Sequence, residues 1–186
     1  MSQRILLGSK SPRRRELLSA VGIQYEIADI DCDEDFPADM AHELVAAFLA
    51  EKKSMAFTGN LENSILITAD TIVSIGNEIL NKPENQEEAK LMLGKLSGHK
   101  HIVYTSVCIR NSVHKVVFTD ATNVYFKPLA ESDIEYYVNT FKPFDKAGSY
   151  GIQDWMGYTN ISGIEGDYYN VMGLPINKVY EALKQF

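Results

Sequence analysis

Residues 4–18 read "RILLGSKSPRRRELL", and how this stretch is parsed sets the class of the whole chain. Ile5 to Leu7 form a short apolar run suited to a buried strand, and "GS" carries the chain out of it. Ser11 is a good N-cap, Pro12 fits the first helical position, and Glu16-Leu17-Leu18 continue a helix that Gly22 can end. Strand, loop and helix in this order gather backbone N–H groups around a ligand at the helix start. The arginines at 13–15 run against the helix dipole, which should make each of them cost a few tenths to about 1 kcal/mol. A bound anion reverses that sign, because the forks of Arg13 and Arg14 match phosphate oxygens two at a time. Solvation, or pairing with nearby acids, is the plainer account of the same three residues.

Working outward, "YEIADI" reads as a second strand, and the acidic loop "DIDCDEDFPAD" leads to a helix from Met40 to Phe57. Its apolar stripe is Leu44, Val45, Phe48, Leu49, Met55 and Ala56, with Pro37 and Gly59 bracketing the segment. "SILITADTIVSI" is a strand with Ile65 and Ile67 alternating against polar neighbours, turned at Gly76-Asn77 into "EIL" as a hairpin. A helix over Gln86 to Leu96 stops at Gly98. The runs "HIVYTSVCIR" and "KVVFTDATNVYF" then flank a turn at Asn111-Ser112 as an antiparallel pair. Helices follow at Glu131 to Asn139 and Asn177 to Phe186, with a Gly-rich segment between them. Crossovers and hairpins occur together, so the expected class is α/β with a twisted, elongated, mixed sheet.

A chain of 186 residues with 45% hydrophobic content has room for one domain with a substantial core, expected to span 1–186. Its net charge of −7 argues against a broad basic face for nucleic-acid polymers, so the local basicity points to a small anion. Cys32 and Cys108 lack metal-ligand spacing, and "RILLGS" is not preceded by a signal peptide, so a reducing cytoplasm is the expected setting. The longest apolar runs are broken by Thr, Asp and Ser and fall short of the roughly 20 residues of a membrane span.

The chain has no G-x-x-x-x-G-K-[ST], G-x-G-x-x-G or H-E-x-x-H pattern, so any phosphate site is not a P-loop. What remains is a set of polar residues in unexpected places: Arg13, Arg14, Glu34, Lys52 or Lys53, Asp70, Lys82 and Gln153. An aspartate inside "ILITADTIV" is costly to bury unless it binds a metal, a cation or a water. A strand-end aspartate capping a turn is its alternative. Glu34 lies in an acidic run that solvation alone explains. Lys52 falls near the middle of the helix stripe and Lys53 toward its edge, and snorkelling accounts for either. Lys82 precedes Pro83, where the extended backbone lets the amine reach a phosphate or simply solvent. His101, among strand residues, reads as structural. A cationic patch beside carboxylates suits a polyphosphate held with Mg²⁺ or Mn²⁺, and hence metal-assisted phosphoryl or nucleotidyl chemistry with Asp70 as base.

Beyond these residues, the chain resembles the Maf family of nucleoside triphosphate pyrophosphatases. The resemblance rests on "SKSPRRRELL", "DEDFP", "LAEKKS", "ADTIV", "NKP", "LSGHKHIVYT", "FDKAGSYGIQ" and "GDYYNVMGLP", ordered and spaced as in that family. It implies an elongated α/β fold related to inosine triphosphate pyrophosphatases, with helices on both sides of the sheet, a substrate cleft between two lobes, and a homodimer. By the same resemblance Arg13 and Arg14 are the phosphate-binding pair, held by the turn through Ser9 and Ser11. Asp70 is the proton acceptor, Glu34 and Asp70 hold the metal (Mg²⁺ or Mn²⁺, with Co²⁺ as an option), and Lys53 and Lys82 face the phosphates. "GIQ" is similar to the branch acting on dTTP and UTP, where Arg13, Thr71 and Gln153 occupy positions tied to substrate choice. Lys10 between the serines, and Asp154 and Trp155 after the glutamine, depart from the family pattern. The implied reaction is hydrolysis between the α and β phosphates of a pyrimidine nucleoside triphosphate. Its rivals are a nucleotide-binding regulator of septum formation, which would not need Asp70, and an aspartyl phosphatase using "DIDCD".

Overall fold

In the computed structural model, which describes residues 3–186, strand β1 (Arg4–Leu7) runs into α1 (Pro12–Ala20) as the opening motif requires. Ser11 occupies the N-cap position with extended backbone and Pro12 opens the helix. Gly22, at φ 76°, then closes it by donating its N–H to Ser19. A Cβ on Gly8 would lie 2.4 Å from Ile30 Cδ1 and 2.8 Å from Thr68 Cγ2, so the turn out of β1 has no space for a side chain. The described strands form one seven-stranded mixed sheet in the order β2-β1-β3-β5-β6-β7, with β4 also paired to β3. β2 is Glu26–Ile27, β3 Ser64–Ile75, β4 Glu78–Leu80, β5 Lys100–Arg110, β6 Lys115–Phe126 and β7 Ile161–Glu165.

The chain divides into two compact units. The first comprises residues up to Asp70, Thr105–Asp120 and Gly173–Phe186. Within it β1 pairs in parallel with both β2 and β3, setting Leu6 beside Leu66 and Leu7 beside Ile67. Leu6, Ala28, Leu61 and Leu66 are buried together, with Ile30 and Phe57 packed against them. Helix α2 (His42–Ala56) and the C-terminal helix α7 (Ile176–Leu183) belong to this unit.

The second unit comprises Thr71–Tyr104 and Ala121–Met172. Its core draws on Leu80, Leu93, Leu96, Phe126, Tyr137 and Met156. Helix α3 (Gln86–Leu96) starts on a reciprocal cap. Asn85 accepts from the Glu88 N–H, while the Glu88 carboxylate accepts from the Glu84 N–H. His101 is fully buried, its Nε2 2.7 Å from the Tyr150 hydroxyl and its ring edge-on to Phe126. Burial lowers its pKa to about 4, so the ring is a neutral structural group at physiological pH. Helix α4 (Glu131–Phe141), α5 (Trp155–Asn160) and α6 (Tyr168–Met172) complete the unit.

The structure corrects several local expectations. The buried face of α2 is Val45, Ala46, Leu49, Ala50 and Ser54, whereas Leu44, Phe48 and Met55 are exposed. Val45 and Leu49 keep their expected place, while alanine and serine fill the rest of the face and leave the Ala50 carbonyl within reach of Thr68 on β3. β3 is buried almost without interruption from Ser64 to Ser74 rather than alternating, as expected of a strand covered on both faces. "YEIADI" contributes only two residues of strand. The Gly-rich segment, left without elements by the sequence reading, folds into a 3₁₀ turn (Ala147–Ser149), α5, β7 and α6. Among the described residues no helix is long and apolar enough to cross a membrane.

One glycine in that segment makes a stability prediction. A Cβ on Gly157 would sit 1.8 Å from the backbone carbonyl oxygen of Ile152, an overlap that no rotamer relieves. Gly157→Ala should destabilise the protein by about 1–3 kcal/mol, the usual range for forced overpacking. Chemical denaturation with an unchanged midpoint would contradict this.

Candidate active site

Helix α2 and strand β3 meet at matching intervals. On β3, Thr68 and Asp70 are two residues apart and share a face, while on α2 Ala50 and Lys53 are one turn apart. The Thr68 hydroxyl donates to the Ala50 carbonyl at 2.7 Å, and the Lys53 ammonium donates to Asp70 Oδ1 at 2.5 Å. The first contact seats the helix, and the second places a cation on a nearly buried carboxylate whose side chain is 9% exposed. Asp70 therefore lies in the interior of a twelve-residue strand and caps no turn.

Lys53 also donates to Glu34 Oε1 at 2.7 Å, so two carboxylates from different segments share one ammonium. Its neighbour Lys52 points elsewhere, held by the Asp33 carboxylate and the Asp35 carbonyl, with Phe48 alongside. The choice left open between these lysines is resolved by their partners. Lys53 serves the carboxylate pair, and Lys52 pins the acidic loop next to it. The hydrogen bond from Lys52 holds Asp33 below the usual carboxylate range. The acidic run is thus an anchored loop at residues 33–35.

The arginines at the start of α1 differ from one another. Arg14 Nε donates to the Gly173 carbonyl at 2.8 Å, and its Nη1 donates to the Ala69 carbonyl at 2.8 Å and to Ser9 Oγ at 3.1 Å. Ser9 Oγ also accepts from the Ser11 N–H at 3.3 Å. Burial pushes the Arg14 guanidinium below its ordinary pKa; the Asp70 charge opposes the shift and the Arg13 charge adds to it. Arg14 is therefore a structural tie as well as a cation. Arg13 is half-buried one residue earlier, and Arg15 buries an Nε without an acceptor among the described residues. The Ser11 side chain caps nothing in α1. Lys10 reaches Asp29 at 3.0 Å in an exposed pair. The first unit thus brings together Ser9, Ser11, Arg13, Arg14, Glu34, Lys53 and Asp70.

Thr71, Lys82 and Gln153 belong to the second unit. Thr71 is half-buried and, by strand alternation, faces away from its neighbour Asp70. Lys82 is exposed just after β4, followed by the buried Pro83. Gln153 Oε1 is buried with no hydrogen-bond partner among the described residues, while the Gln153 backbone carbonyl accepts from the Tyr158 hydroxyl. Beside it stands a pair that sequence reasoning missed. The Tyr137 hydroxyl donates to Asp154 Oδ2 at 2.8 Å and accepts from the Gly151 N–H at 3.1 Å. Asp154 also caps α5 by accepting from the Met156 N–H. Only that cap was open to local reading, since an aspartate before a helix is a familiar signal. Tyr137 looks like any core aromatic until its partner is located.

A divalent cation is compatible with this donor set. Among the described residues no group of three His, Cys, Asp or Glu side chains converges on a metal position. Glu34 and Asp70, however, already share a cation in Lys53, and Mg²⁺ commonly takes one or two carboxylates with substrate phosphates and water completing its shell.

The model of a family described as Maf-like protein matches residues 4–186. A protein of Porphyromonas gingivalis W83 named dTTP/UTP pyrophosphatase is 46% identical, with 98% of this chain and 94% of that one covered. Proteins of the same name from Bacteroides thetaiotaomicron and Cytophaga hutchinsonii are each 44% identical. The matches cover 97% of this chain in both cases, and 95% and 83% of the relatives respectively.

Proposed function

The chain belongs to the Maf family, and from that premise we propose that it hydrolyses dTTP and UTP to the monophosphate and pyrophosphate, clearing excess or non-standard pyrimidine triphosphates. The observation that supports this most is near-full-length similarity, at 44–46% identity, to proteins named dTTP/UTP pyrophosphatase. We place the activity in the cytoplasm and in a homodimer.

In this reading Asp70 is the general base. Lys53 fixes its Oδ1, so the carboxylate is aimed, and its other oxygen takes the proton of the attacking water. Arg13, Arg14, Lys53 and Lys82 offset the charge that develops on the departing pyrophosphate. Ser9 and Ser11 shape the turn that presents the arginines. Mg²⁺ or Mn²⁺, and Co²⁺ as a further option, would be held by Glu34 and Asp70 and would supply charge neutralisation at the phosphate oxygens. Gln153 reads the base: uracil and thymine offer an N3–H donor beside an O4 acceptor, which a glutamine amide complements, whereas cytosine reverses the pattern. Thr71 limits the room around the nucleotide.

A panel of nucleoside triphosphates, each assayed with Mg²⁺, Mn²⁺ or Co²⁺ and with products resolved, tests reaction and metal together. Monophosphate plus pyrophosphate is the expected result. Release of free phosphate, or tight binding without turnover, would replace this reading with a phosphatase or a regulator. Base reading has its own test. Wild type should favour UTP and dTTP over CTP by roughly 1–3 kcal/mol, the scale of a bidentate base contact, and Gln153→Ala should erase most of that preference. An equal fall in kcat/KM for all three substrates would assign Gln153 to the loop's structure instead.

A further inference from the structure

A buried side-chain carbonyl without a donor is a costly state, and Gln153 Oε1 is in it. The carboxylate of the next residue, Asp154, reaches the same side of Gly151. A Cβ on Gly151 would lie 2.5 Å from Asp154 Oδ2 and 3.2 Å from Gln153 Oε1, so a carboxylate oxygen and an amide oxygen border the same space beside Gly151. Two acceptors bordering one space cannot hydrogen-bond to each other. A half-turn about the last bond of the glutamine exchanges its oxygen for an NH₂ of the same shape, and that end donates to a carboxylate.

We infer that Asp154 orients the Gln153 amide by accepting one N–H of its NH₂, which leaves Oε1 to accept the N3–H of uracil or thymine and the second N–H for O4. Asp154 is then a positioning residue for base choice. The inference rests on Gln153 being the base reader.

Asp154 is suited to this because its own orientation is enforced. The Gly151 N–H can only donate, so the Tyr137 oxygen accepts from it and the Tyr137 proton goes to Asp154 Oδ2. The Met156 N–H occupies Oδ1. An ionised carboxylate has about four lone-pair positions, so it has capacity beyond these two donors. It is also an acceptor only, which leaves the glutamine a single way to face it. An asparagine at 154 could keep the helix cap yet meet either end of the Gln153 amide, and the orientation would no longer be unique. Gly151 contributes by leaving open the space that both side chains border.

The experiment compares kcat/KM for UTP and CTP in wild type, Asp154→Asn and Gln153→Ala. In Asp154→Asn the UTP-to-CTP ratio should drop about tenfold, and the constant for CTP should itself rise, which a merely structural defect does not produce. A second readout needs no variant at position 154. The side-chain NH₂ protons of Gln153, assigned by their loss in Gln153→Ala, should exchange with solvent in the wild-type protein at least about tenfold more slowly than those of exposed glutamines. Equal falls for UTP and CTP in Asp154→Asn overturn the inference, as does NH₂ exchange at the exposed rate. A ratio that collapses in Gln153→Ala but holds in Asp154→Asn removes the orienting role alone. A ratio unchanged in Gln153→Ala removes base reading, and the orienting role with it.

Discussion

Replacing Asp70 with asparagine should leave a folded protein that still binds dTTP and UTP but turns them over at least about a hundredfold more slowly. Asparagine keeps the shape, and its carbonyl can still accept from Lys53, so the seat of α2 on β3 through Thr68 and Ala50 is undisturbed. What disappears is a carboxylate able to take a proton from water and to carry charge toward a cation. Calorimetric binding alongside initial rates separates the two effects. Near-wild-type turnover in a folded variant would show that the base lies elsewhere. Lys53→Met should also lose activity, since Lys53 fixes Asp70, and a rise in KM beside it would support the phosphate contact proposed for this lysine.

Arg14→Ala is expected to be the most damaging substitution for stability. It strips donors from two buried backbone carbonyls, Ala69 and Gly173, and from Ser9 Oγ. Hydrogen bonds from a charged donor contribute about 1.5–3 kcal/mol each, so losing three of them should cost at least about 3 kcal/mol. For a chain of this length that corresponds to a fall in Tm of roughly 6–12 °C. Arg14→Lys should recover little of it, because one ammonium cannot reach three acceptors fixed in the plane of a guanidinium. Arg13→Ala should behave differently, raising KM and lowering kcat with little change in Tm. Equal thermal effects at the two positions would mean that the ties drawn from Arg14 contribute little.

The opening stretch shows how far the sequence could be read. Strand, turn and first-turn proline are local signals, and each appears where expected, whereas Ser11 takes the N-cap position without a side-chain hydrogen bond to the helix. The helix over Gln86–Leu96 also appears where expected, and its Asn85 cap, with its partners within four residues, is a local signal that went unread. Asp70 stood out for its company: an aspartate in an apolar strand announces a partner without naming it. The partner was harder from the residues alone, since snorkelling accounts for Lys52 and Lys53 alike until the buried face of α2 is known, and that face combines Val45 and Leu49 with two alanines and a serine rather than the full stripe that periodicity favours. The double role of Arg14 was out of reach, because both carbonyls it binds are anonymous backbone groups, one of them 159 positions away. The pairing of Tyr137 with Asp154 was hidden for a related reason: the hydroxyl that matters sits on a residue indistinguishable from core.

The matched intervals of β3 and α2 also say which changes of length the chain can bear. Strand faces alternate, so removing one residue between Ser64 and Thr68 while β1 keeps its partners would carry Thr71 into the place of Asp70 and turn the aspartate to the opposite face. Removing two would restore the parity but present Ile72 to Lys53. Insertions and deletions are therefore expected to be absorbed in the loop at residues 57–63, where the backbone has left the helix and not yet entered the sheet. Within the strand itself, letters can be exchanged at many positions, but their number is fixed.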